Sequence, residues 1–280
     1  MAFKASKERK RRSPDPVGKG NPLIPSAAIR IWYAQQLNAV VKPMMADYKA
    51  ELNKAIEARP VKQFFAQDAA ATDLLSRVMG ILQSKWENIF AGFAKSLADD
   101  FVKKSDEHAT SATKFSLSSA GIVEPRATYN EAVANVLGAA QKFNHTLITG
   151  IQQDVHEKIY TAVMLSLTSP DPQSQGASGI EAALRKTNEF SEDRIKLITR
   201  DQTSKLFSSL SDERMKENGC EEFEWLHSSA GKVPRPDHVH KNGQIFKLND
   251  PRLWEGPKAD QGPPGWAINC RCRKVPIINP

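Results

Sequence analysis

Cysteine is scarce, with three residues in a chain of 280. That is too few for a disulfide scaffold at this length, and it fits synthesis in a reducing cytoplasm. Long apolar runs are missing too. No stretch of eighteen consecutive apolar residues occurs, which excludes a helix crossing a membrane. The basic N-terminus has no apolar segment after it, so no secretory signal is expected there. Internal repeats are absent, as are the Cys-x₂₋₄-Cys pairs of common zinc modules. What remains is ordinary for a globular protein: 40% hydrophobic and 25% charged residues.

The net charge of +7 is unevenly placed. Residues 1–20 hold seven Lys or Arg against two Asp or Glu, and residues 226–280 hold nine against four. The stretch between them is slightly acidic. Lys7, Arg9, Lys10, Arg11 and Arg12 sit among Pro and Gly with almost no apolar neighbours. Such a segment cannot nucleate a core, so residues 1–25 are expected to be a disordered tail that meets DNA or an acidic partner.

Three long amphipathic patterns follow. Ser26 is placed to cap a helix over 27–59, whose stripe includes Leu37, Val40 and Val41. Pro43 should kink or interrupt it by removing a backbone donor. A second helix is expected over 68–106, then a Ser/Thr/Gly-rich break over 107–127. A third runs over 128–167. The spacing is not a sustained heptad, which points to a bundle and not a coiled coil.

Residues 168–176 read as a linker between a helical domain (26–167) and a loop-rich domain (177–280). The second domain should hold a short helix over 180–189 and another starting at Ser191. Gly219 would end that helix, and short strands would follow over 221–226, 244–247 and 273–277. The fold class is therefore α+β: an N-terminal long-helix bundle followed by a small loop-rich α+β part.

Chemistry concentrates between Trp225 and Cys272, which enclose two of the three cysteines and three of the six histidines. His238, His240, Cys270 and Cys272 have the side chains of a tetrahedral zinc site. A Cys-x-Cys pair chelates from a turn, whereas on a strand its sulfurs point to opposite faces. The competing reading has His238 bonded to loop backbone and the cysteines simply packed. A Cys–His nucleophile and a nuclease built from Asp201, Asp237 and Asp250 are also arithmetically available. No spacing favours either, and no complete active site is visible. Arg200, Asp201 and Gln202 are consecutive on a helix and cannot share one face. Asp201 and Gln202 would tie that helix to the following loop, with Arg200 paired to an acid.

The order of these motifs resembles the phage Mu F-like head morphogenesis proteins. Arg200-Asp201-Gln202 leads to Phe223 and Trp225, then Arg235, Pro236 and His238, then Gly243 and Phe246, then Cys270-Arg271-Cys272. The resemblance covers roughly residues 175–280. Residues 229–232 replace an acidic pair usual in the pattern, His240 is additional, and the stretch from Phe246 to Cys270 is long. The resemblance implies a non-enzymatic minor head protein located in the virion near the portal vertex. Its implied partners are the portal protein and scaffold or major capsid protein; the residues themselves add a non-specific DNA contact and, as the one candidate cofactor, a structural zinc. The alternative is a small metal-dependent hydrolase or nuclease acting on DNA, built on His238, Asp201 and the cysteines.

Overall fold

The computed structural model describes residues 18–58, 69–168, 176–229 and 233–278. Four long helices form the body. They are α1 (Ala27–Glu57), α2 (Ala69–Ser119), α3 (Glu131–Thr168) and α4 (Gly176–Glu217). A four-stranded antiparallel sheet lies beside them, in the order β1 (Gly18–Lys19), β4 (Arg273–Ile278), β2 (Glu222–Leu226), β3 (Ile245–Lys247). The short helix α5 (Pro236–His240) sits between β2 and β3 in sequence. The α+β class read from the sequence is the observed one.

Ser26 caps α1 as expected, its hydroxyl accepting the Ile29 N–H at 3.2 Å. Pro43 does not end the helix. Val40, Val41, Met44 and Met45 are buried on both sides of it, and their packing outweighs one lost backbone bond.

The break expected over 107–127 is corrected to residues 120–130, because α2 continues to Ser119. Ser105, Ala109, Thr113, Ser116 and Leu117 are all buried at helical spacing. They form a stripe of mostly small side chains, invisible to an argument from apolarity alone.

That stripe receives the N-terminal segment. Ser116 donates to the Asn21 carbonyl at 2.6 Å, and Leu23 is buried. Gly18 pairs with Ile278 and Lys19 with Ile277. The disordered tail expected over 1–25 is thus corrected for residues 18–25. Lys7, Arg9, Lys10, Arg11 and Arg12 lie outside the described residues. A Cβ on Gly18 would stand 1.8 Å from the Ala120 carbonyl oxygen. Gly18→Ala should therefore cost about 1–3 kcal/mol. A denaturation midpoint identical to that of the unchanged protein would mean that β1 is not docked.

The two helices expected over 180–189 and from Ser191 are one helix, α4. Ser191 is buried within it and donates back to the Asn188 carbonyl at 2.8 Å, so it is not a cap. Gly219 does end α4. At φ +70° it lets its own N–H reach Lys216 O and that of Cys220 reach Met215 O, both at 3.0 Å.

α4 packs against α1, α2 and α3, and buried apolar residues from Leu23 to Cys272 form one cluster. The segment 168–176 therefore does not separate two cores; residues 169–175 lie outside the described residues. Arg214 fixes α4 to the bundle. It is buried and pairs with Asp106 of α2 at 3.0 Å and with the Thr128 carbonyl.

Candidate functional site

β2 alternates, sending Phe223 and Trp225 inward. Phe223 faces Phe246 of β3 across the pair, with ring centroids 6.0 Å apart. Gly243, at φ +78°, forms the turn before β3, and its N–H bonds the Trp225 carbonyl at 2.8 Å. Trp225 is wholly buried and meets the His238 ring edge-on at 5.1 Å.

Pro236 starts α5, and its ring presets the first helical φ. α5 buries His238 and leaves His240 exposed. His238 Nε2 lies 2.9 Å from the Asp260 carbonyl, so it carries the proton. Nδ1 is then turned toward two sulfurs, Cys270 Sγ and Cys272 Sγ, each at 3.6 Å. Cys270 and Cys272 are buried and lie before β4 begins. Asn269, at φ +61°, makes the turn that brings both sulfurs to one side. Among the described residues these three side chains form a group whose donor atoms all lie within 4.8 Å of one another.

Neighbours hold the group from three directions. Arg200 on α4 donates to the Asn269 side chain at 3.0 Å, fixing the turn. Arg235 pairs with the Asp260 carboxylate at 2.5 Å and donates to the Ile268 carbonyl at 2.8 Å. Ser208 on α4 donates to the Pro264 carbonyl at 2.9 Å. The group lines a cavity of about 360 Å³, shared with Arg200, His227, Arg235 and Asn269.

Protonation follows these contacts. The hydrogen bond from Cys272, aided by His238 and the Gly265 N–H, brings the Cys270 thiol down to about 4. The same shared bond, with burial, pushes Cys272 up. Burial opposes the imidazolium of His238, but the bonds to Cys270 and Asp260 outweigh it and raise its pKa.

Residues 157–275 match the family model described as Phage Mu protein F like protein. Over this stretch the chain is similar to the phage Mu F-like proteins. The Mu F-like segment begins within α3, upstream of the first motif visible in the sequence, and takes in all of α4 and most of the sheet. A relative from Haemophilus influenzae (strain Rd), described as an uncharacterized protein, is 27% identical over 265 residues. The match covers 93% of this chain and 56% of the relative, so the chain spans little more than half that protein's length. No solved structure matches the chain.

Within the Mu F-like segment the sequence-derived site is partly rearranged. His238, Cys270 and Cys272 converge. His240 does not, because it lies two residues further along one short helical turn and points away. The roles expected for the Arg200 motif are exchanged. Arg200 reaches the loop, whereas Asp201 pairs with Lys205 at 2.9 Å and Gln202 faces Asn144 of α3 at 3.5 Å. The acids of the imagined nuclease stay apart. Asp201 is held by Lys205, Asp237 by Lys241 at 2.7 Å and Asp250 by Arg252 at 2.6 Å. Cys220 is buried elsewhere, its thiol on the Ile277 carbonyl at 3.4 Å, and burial raises it to about 11. The contribution of Asp260 escaped the sequence reading, since half of it is a backbone carbonyl with no signature in residue type.

Proposed function

We propose that this chain is a minor head protein of a tailed phage, joining the head during morphogenesis and associating with the portal protein. The carrying observation is the family match over 157–275, inside which Arg200, Trp225, Arg235, His238 and the Cys270–Cys272 pair meet around one turn. A single site held by α4, α5 and the β4 lead-in makes the segment a rigid unit suited to docking. Asp201, Asp237 and Asp250 are each paired with a Lys or Arg and form no metal-holding group among the described residues, which weighs against a nuclease built on those three acids. Scaffold or major capsid protein are further candidate partners. The basic residues Lys7, Arg9, Lys10, Arg11 and Arg12 would add a salt-sensitive contact with DNA during packaging or ejection.

The test is native mass spectrometry of the full chain mixed with the portal protein of the same genome, beside a protein inventory of purified heads. The expected results are a defined chain–portal complex and a few copies per head. Absence from the heads would overturn the proposal; presence without the complex would overturn the portal contact.

A further inference from the structure

We propose that His238, Cys270 and Cys272 hold one zinc ion, with water in the fourth position, on the side of the shared cavity. The geometry is that of a formed site. An ion about 2.3 Å from sulfur and about 2.0–2.1 Å from nitrogen, at tetrahedral angles, sets an N···S edge of about 3.6 Å. Both N···S separations here are 3.6 Å. Ordinary packing of a ring against two thiols does not require two equal edges of that length.

The surroundings supply what metal ligands need. The Asp260 carbonyl holds the proton on Nε2, which leaves the Nδ1 lone pair directed at the site. The Gly265 N–H points at Cys270 Sγ at 3.4 Å, an arrangement suited to a thiolate. The Trp225 indole N–H is buried without a hydrogen-bond partner, and its ring stands edge-on to His238 at 5.1 Å. Two thiolates and an imidazole in tetrahedral array suit zinc. Cys220 is committed to the Ile277 carbonyl, so an iron–sulfur cluster lacks its further thiolates.

The fold also gives the ion something to do. Between Leu248 and Ala267 the buried apolar side chains are Leu253 and Pro264 among the described residues. The span is built of turns and 3₁₀ segments (Pro251–Trp254 and Lys258–Asp260). A small loop-rich region of this kind needs a staple. Zinc would close the 32 residues from His238 to Cys270 and tie α5 to the lead-in of β4. This inference stands whether or not the chain joins a phage head.

The experiment is elemental analysis of the full chain, purified without a histidine tag in reducing buffer and reconstituted with equimolar zinc. One zinc per chain is expected. Cobalt replacement should give near-ultraviolet thiolate-to-cobalt charge transfer and the visible d–d bands of a tetrahedral ion. Cys270→Ser and Cys272→Ser should each lose the ion, while His240→Ala keeps it. Should the cysteine variants fail to fold, titrating the unchanged protein with an organomercurial should release zinc in step with two thiols. A metal-free protein after reconstitution, a Cys270–Cys272 disulfide, zinc release that does not follow the thiols, or loss of zinc in His240→Ala would each overturn the assignment.

Discussion

Asp212→Ala should lower the unfolding free energy by about 3–5 kcal/mol, because it strands a buried ammonium. Lys274 lies in β4, is buried, and reaches across to the face of α4. There it donates to Asp212, to Ser208 Oγ at 2.8 Å and to the Ser208 carbonyl at 3.3 Å. Ser208 in turn holds the Pro264 carbonyl, so the pair underpins both the sheet and the loop above it. Removing the carboxylate leaves the charge with two neutral acceptors in a dry place.

The pH dependence has a definite sign. Burial holds Lys274 below its ordinary value, so the folded state binds fewer protons than the unfolded one in that range. The stability of the Asp212→Ala protein should therefore rise with pH toward the ordinary lysine range. Replacing both partners, as Asp212→Leu with Lys274→Met, should restore most of the loss. Denaturant midpoints of the two single variants and the double variant check this. A single-variant loss under about 0.5 kcal/mol would show the pair to be solvated.

Trp225→Ala should cost about 3–5 kcal/mol. The ring is fully buried between Phe246, whose centroid lies 6.0 Å away, and His238. Lys241 adds a cation over its face at 5.5 Å. No neighbour on a two-sided sheet position can collapse into a space of that size. Trp225→Phe should lose less, since most of the volume stays. The same calorimetric scan on both variants decides it: equal losses would mean that the indole N–H, not the volume, is what matters at this position.

The long helices and three of the four strands were legible because apolar residues recur at three- and four-residue spacing or alternate. Where the side chains carrying that signal are small, it fades. Ala109, Thr113 and Ser116 are buried on α2, but as small side chains they read as a break. Ser191 followed by Glu192 and Asp193 imitates a helix start; burial of Ser191 against the bundle decides otherwise. β1 has no signature of its own. Two residues, Gly18 and Lys19, become a strand only because Ile277 and Ile278 stand beside them.

At the site, residue types were legible and geometry was not. His238 and the two cysteines could be singled out by chemistry. Their convergence depends on the positive φ of Asn269 and on the Asp260 carbonyl, neither of which residue type announces.

The pairing of Gly18–Lys19 with Ile277–Ile278 also fixes an order of events at the ribosome. β1 leaves the exit tunnel first, and its partner strand leaves about 260 residues later. At roughly 5–20 residues per second, that interval is on the order of ten to fifty seconds. Throughout it, the small-residue stripe at the end of α2 can take its bed of Ser116 and Ala120, but the strand itself has nothing to pair with. The sheet can close only when Ile277 and Ile278 have emerged, so residues made late lock residues made early in place.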